Sequence, residues 1–451
     1  MNFSENISKN RDSLIKIGLF LFLASIFFPI RHVILGQNAF LTGAYSDFTS
    51  YSSYLSDFII LGALLFGIIV LKGKVFSSQN SQFLLLIWVA ISVFLNFHAY
   101  RGLGTYFFSR LILLIVLHET IKFLINKRNF KLFLQIFVVL AVLQSILASL
   151  QFFSQTSLGL YRLGEVHLSP ATLGIAKIMI EGVKFIRGYG TFPHPNLLAA
   201  FLVAASLFII PLLMGAKKRA ERIVYLILLF INLFGLLITF SRAGYLALGL
   251  GLIIFSGLYF YKLGKDKQFL KILGFYFLSL LVAVFVLKPF LLTRAVVTDA
   301  AVTNRLFYDK IGLLMTRDHV LFGVGPGTSV LHMERYTAFQ LQPWQIQPIH
   351  NYFIIVAAEL GLIGLLILLF VFWDHVWPLL QRLWQKTTTD REQTISQILL
   401  LSVFSAFLLL MMFDHYFYTI WQTQVLLWLV LGLMVNPYCS GRTTGQESNL
   451  L

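Results

Sequence analysis

LTRAVVTDAAVTNRLFYDKIGLLMTRDHVLFGVGPGTSVLHMERYTAFQLQPWQIQPIHN, residues 292–351, is a long polar stretch set between two strongly apolar runs. It carries Arg294, Arg305, Arg317 and Arg335, a Gly-Val-Gly-Pro-Gly turn at Gly323–Gly327, and a closing His350-Asn351. In a chain otherwise suited to lipid, such an excursion is where chemistry is expected. Phe307, Ile311, Leu314 and Met315 fall at i, i+4, i+7 and i+8, which predicts one apolar stripe of a helix lying on the membrane face.

The rest of the chain makes that setting plain. Of 451 residues, 58% are hydrophobic and only 12% are charged. Soluble domains carry about 25% charged residues, so the composition predicts an all-α, polytopic integral membrane protein. The formal net charge of +16 does not indicate nucleic acid, because Lys and Arg cluster in short loops between apolar runs. A single cysteine, Cys439, excludes an intrachain disulfide. No His/Cys group has zinc-ligand spacing, and no metal or cofactor is expected.

Twelve spans are expected, near 13–35, 56–72, 82–98, 103–125, 130–153, 195–215, 222–240, 243–261, 268–291, 351–373, 395–413 and 417–435. Basic residues before Ile17–Ile30, with no small-residue cleavage site after it, read as an uncleaved first span with the N-terminus in the cytoplasm. Every loop on that side is then basic: Lys72 and Lys74; Lys127, Arg128 and Lys131; Lys217, Lys218, Arg219 and Arg222; Lys262, Lys265 and Lys267; Arg382, Lys386 and Arg391. Both termini are expected inside, and loops 154–194 and 292–350 outside. The expected divisions are a bundle over 1–291, an outer loop over 292–350, C-terminal spans over 351–435 and a polar tail over 436–451. A short amphipathic helix is expected near Leu173–Phe185.

Three outer edges carry polar residues. Arg187 opens RGYGTFPHPN at 187–196, where it is able to grip a phosphate by forked hydrogen bonds; the alternative is a Pro/Gly turn with Asn196 as helix cap. Arg242, in the tight Ser241–Gly244 turn, either snorkels to headgroups or holds a phosphorylated ligand. Arg305 sits four residues before Asp309, so a local ion pair is the plain reading. Gly323 and Gly325 lie in a turn that looks like a phosphate-binding loop, although no Lys-Ser/Thr follows as in a nucleotide site. His350, beside Asn351 and near outer arginines that would keep it neutral, is the candidate general base. Asp414 is placed to orient His350 or to take a proton, or else belongs to an interfacial cluster with His415 and Tyr416.

These pieces together resemble the O-antigen ligase/polymerase superfamily. The match rests on RGYGTFPHPNLLAAFL at 187–202, ITFSRAGYLAL at 238–248, the Arg305 helix leading into LFGVGPGT at 321–328, and HNYFIIVAAELGLIGLL at 350–366. The resemblance implies a GT-C-like membrane fold in the bacterial inner membrane, with its active site facing the periplasm. It implies a donor glycan on undecaprenyl diphosphate and an acceptor that is lipid A-core or another glycan. It also implies inverting transfer with no nucleotide sugar and no obligatory metal. Arg187, Arg242 and Arg305 match arginines near the diphosphate, His350 the histidine that activates the acceptor hydroxyl, and Asp414 an acidic residue near the end of the penultimate span. Arginines stabilise a departing diphosphate, and inversion needs one base instead of a carboxylate pair. Ligase is the leading reading. Polymerase is the alternative within the family, and a lipid-linked glycan flippase the alternative outside it; polar residues gathered at one membrane face favour surface chemistry over transport.

Overall fold

The structure, a computed structural model, describes residues 3–36, 38–41, 43–71, 80–296, 299–385 and 390–440. The tail from 441 onward and the basic residues Lys72, Lys74 and Lys386 lie outside the described residues. Helix α1 (Phe3–Phe27) leads through strands β1 (Arg31–Ile34), β2 (Phe40–Leu41), β3 (Ala44–Tyr45) and β4 (Tyr51–Tyr54). Helices α2 (Leu55–Leu71), α3 (Asn80–Leu95), α4 (Phe97–Leu124) and α5 (Lys127–Ser154) follow. A hairpin of β5 (Lys177–Ile180) and β6 (Val183–Ile186) precedes α6 (Pro195–Gly215), α7 (Arg219–Ile238), α8 (Arg242–Leu263) and α9 (Lys267–Val296). The polar stretch holds α10 (Asp299–Asp318) and the one-turn α11 (Ser329–His332). Then come α12 (Tyr352–Trp384), α13 (Arg391–Phe413), the one-turn α14 (Tyr416–Thr419), α15 (Trp421–Val435) and the one-turn α16 (Pro437–Ser440).

A helix stands at each of the twelve expected spans, and among the described residues eight are long and apolar enough to cross a membrane. The other four apolar segments, Ser13–Phe27, Leu55–Ile68, Ser81–Leu95 and Trp421–Val435, have at most 17 residues. The protein is therefore a mostly helical, multi-pass membrane protein, with eight candidate spans among the described residues. Helix α6 is the hub: 89% of its apolar window is buried inside the protein, against 28% for α9, which leaves most of its surface for lipid. Small residues let neighbours approach the hub closely, and Gly244 of α8 sits against Ala199 of α6.

Two expectations change. The segment Leu173–Phe185 is not a helix. Glu181 and Gly182 both take positive φ, 49° and 82°, and Ile180 pairs with Val183 across a two-residue turn. That backbone matches the twist of a hairpin and reverses the chain where a helix would continue. Polar groups are also not confined to one end. Deep in the bundle, the Nε2 atoms of His118 and His375 lie 2.9 Å apart beside Gln82 and Glu119. The two rings partner one another and their neighbours, as burial in an apolar surround requires, while Gln82 Oε1 is left without a hydrogen bond.

The polar stretch is latched into a break in α12. Gly361 has φ 74° and ψ 175°, so the helix is interrupted there. The freed backbone is taken up by the incoming chain: the amides of Val324 and Gly325 donate to the carbonyls of Ala358 and Glu359, and that of Leu362 donates to Val320. A Cβ on Gly361 would collide with the Leu321 carbonyl, and one on Gly323 with the Glu359 backbone. The expected amphipathic helix is present as α10, with Ile311 and Met315 buried and Phe307 and Leu314 half-buried; it packs against α12.

Candidate active site

Residues 187–194 are held in place by two glutamines seven apart on α5. Gln151 donates to the Gly190 carbonyl and accepts from the Gly190 amide, both at 2.8 Å, while Gln144 bonds Thr191 and the Phe27 carbonyl. That scaffold fixes Arg187, which is buried. Its Nε donates to the Thr239 carbonyl and its Nη2 to Asn196 Oδ1, each at 2.6 Å. Asn196 in turn donates to Asp414 Oδ2 at 3.1 Å. Asn196 is thus a bridge between arginine and carboxylate. The helix cap expected of it is supplied by His194, whose ring accepts from the Asn196 amide.

His350 precedes α12 with its Nδ1 2.9 Å from the Pro348 carbonyl. A carbonyl only accepts, so Nδ1 carries the proton and Nε2 keeps its lone pair. The ring stacks on Tyr308 at 5.1 Å and meets His415 edge-on at 5.2 Å. Tyr308 is three residues after Arg305 on α10, so both lie on one face of that helix. Burial, and then the charge of Arg305, push the His350 pKa down to about 4. The arginine effect anticipated from sequence is present but second to desolvation. The same two arginines, Arg187 and Arg305, act on His194, whose pKa is lowered mainly by burial. His194 Nδ1 accepts from the Asn196 amide and from Tyr416 Oη at 3.0 Å, which leaves its own proton on Nε2.

Asp414 does not orient His350; the Pro348 carbonyl does that. The carboxylate instead accepts from Asn196 and from the His415 amide. Burial raises its pKa to about 7, against the opposing pull of Arg305, Asn196, the His415 amide and Arg187. The consequence is a pH dependence of known sign. Below pH 7 the carboxyl is neutral and leaves the arginine charge free; above it, the carboxylate offsets part of that charge. Affinity for an anionic ligand is therefore expected to fall as pH rises through about 7. Asp414→Asn is expected to flatten that dependence, as measured by pyrophosphate binding between pH 5.5 and 8.5. A slope unchanged in the variant would remove Asp414 from the site's electrostatics.

The remaining sequence candidates divide. Arg305 is half-buried and, among the described residues, makes no hydrogen bond or ion pair, with Asp309 or otherwise. Arg242 is the first residue of α8, behind the Ser241 cap that accepts from the Gly244 amide. Its neighbours Ser241 and Ala243 line a small cleft with Asn196, Asp414 and Tyr416. No contact among the described residues joins Arg242 itself to Arg187, Arg305 or His350. Asn351 caps α12 by accepting from the Phe353 and Ile354 amides and ties it to α13 through the Met412 carbonyl. The glycine turn at Gly323–Gly327 does not present a phosphate cradle: the Gly325 amide goes to the Glu359 carbonyl, and the Gly327 and Ser329 amides go to the Glu359 carboxylate.

His194, Tyr416, Tyr308 and Glu359 were not picked out as site residues from sequence. Gln144 and Gln151, two amides seven apart in the C-terminal half of α5, are the one sequence signal that could have pointed to the scaffold beneath 187–194. The Arg294 side chain lies outside the described residues.

Fold and site together define a multi-pass membrane protein in which His350, close to Arg305, and His194, close to Arg187 and Arg305, gather at one end of the helix bundle. Residues 227–369, about a third of the chain, match the family model described as O-Antigen ligase. The matched segment includes Arg242, Arg305 and His350, while Arg187, His194 and Asp414 lie outside it. No curated protein matches the sequence.

Proposed function

We propose that this O-antigen ligase-like membrane enzyme moves a glycan from undecaprenyl diphosphate to an acceptor hydroxyl, lipid A-core in the ligase form of the reaction. The observation that carries the reading is the pairing of an unprotonated His350 Nε2 with arginine charge that Asp414 does not offset below pH 7. A base within reach removes the proton of the attacking hydroxyl as the bond to the anomeric carbon forms. Arg305 and Arg187 stabilise the diphosphate that departs from the opposite face, and the product is inverted. In this reading 1–291 and 351–435 form the membrane body, 292–350 is a lid latched at the α12 break, and the site faces the periplasm with both termini in the cytoplasm. Purified protein in detergent, given an undecaprenyl-diphosphate glycan and an acceptor, is expected to form the glycosylated acceptor and release undecaprenyl diphosphate. Absence of product, with translocation of the donor in proteoliposomes, would establish transport in its place.

A further inference from the structure

A cavity of about 690 Å³ borders the site, within the size range of ligand pockets. It reaches the histidines through Pro348, whose carbonyl holds His350, and through Phe48 and Thr419, which both contact His415. None of Arg187, Arg242, Arg305, His350 or Asp414 lines it.

Its charges are matched. Arg31, Arg110 and Arg162 face Asp47, Glu165 and Glu359 across the lining. Arg31 pairs with Asp47 at 2.8 Å, and Arg110 pairs with Asp57 behind the wall at 2.6 Å. Glu165 is engaged by Gln151 and the amides of Leu158 and Leu160, and Glu359 by the amides of Gly327 and Ser329. The cavity therefore has no surplus of positive charge to attract an anion.

Its apolar wall is aromatic and fixed. Arg110 lies over the rings of Trp421 at 4.4 Å, Tyr106 at 4.9 Å and Tyr54 at 5.4 Å, and also donates to Tyr106 Oη and the Ser52 carbonyl. Rings held in place, with Ser50, Gln422 and Gln424 beside them, suit a ligand that has apolar C–H faces and many hydroxyls. A sugar without phosphate or carboxylate has that chemistry.

We propose that this cavity seats uncharged sugar residues of the acceptor and presents their hydroxyl to His350, while the anionic donor group is confined to the arginines. The inference rests on the transfer reading above and adds a separation of the two substrates by charge. It commits the part of the acceptor nearest the reaction to being neutral.

The test uses the full-length protein in detergent with three readouts: transfer kinetics, saturation by dephosphorylated oligosaccharide released with mild acid from the acceptor glycolipid, and binding of inorganic pyrophosphate. Tyr106→Leu and Gln422→Ala are expected to raise the KM for acceptor and the oligosaccharide Kd about tenfold, leaving the donor KM and pyrophosphate affinity unchanged. Arg162→Glu, at an exposed side chain, is expected to change oligosaccharide affinity less than twofold, because a neutral ligand feels little of a charge reversal. Retained pyrophosphate binding shows that each variant is folded. The proposal is overturned if the cavity variants move the donor KM instead, if oligosaccharide fails to saturate, or if Arg162→Glu costs tenfold. Pyrophosphate binding that ignores Arg305→Ala would overturn the transfer reading itself.

Discussion

His350→Ala is expected to lower kcat for glycan transfer by about 10²–10⁴-fold, the usual contribution of a positioned general base. Donor and acceptor KM should move little, because the ring's described polar contact is to its own Pro348 carbonyl and its other partners are ring faces. A loss confined to kcat marks an interaction made in the transition state. His350→Gln is the informative companion. It keeps a polar group of similar reach but has no lone pair that accepts a proton near neutrality, so it should be as inactive as alanine. Since the wild-type imidazole has its pKa lowered to about 4, the base form predominates across pH 5–8 and the acid limb of the rate profile should lie near pH 4. An acid limb near the ordinary histidine value, or a His350→Gln variant of near-normal rate, would assign the proton transfer elsewhere.

Arg305→Ala carries the second large effect. Removing a charge aimed at a leaving diphosphate typically costs about 10²–10³-fold in kcat. Arg305 is the cleaner of the two arginines to test, because among the described residues its guanidinium makes no hydrogen bond or ion pair, whereas Arg187 also supports the Thr239 turn and Asn196. Lysine at 305 should restore part of the rate, as a point charge lacking the planar fork. The variant should also raise the His350 pKa, since Arg305 is one of the two causes that depress it. The acid limb would then shift upward along with the fall in kcat. A rate loss with no movement of that limb would place Arg305 away from His350.

Much of the protein's character was legible in its letters. Apolar runs and basic loops located the helices at all twelve expected spans, because lipid tolerates only segments whose backbone is satisfied within themselves. Arg187 and His350 stood out as polar residues at the ends of apolar segments and Arg305 as a cation on the predicted helix of the polar stretch, and all three act on His194. The family match to residues 227–369 rests on the same linear pattern.

Partnership was not legible, because it depends on atoms from distant parts of the chain. Whether the Gly323–Gly327 amides were free for a ligand was decided by Glu359, some thirty residues on, whose carboxylate already accepts them. Asp414 was an expected partner for His350, but a bridge through Asn196 turned it toward Arg187. The hairpin at Glu181-Gly182 replaced an expected helix because two consecutive positive φ values outweigh a loose apolar period. The sequence alone determined a helical membrane protein with a histidine and several cations gathered between its spans. Tertiary structure decided which cations stay unpaired, which nitrogen of His350 holds the proton, and that a charge-balanced aromatic cavity borders the site. Those properties belong to distances between segments, which no one-dimensional period encodes.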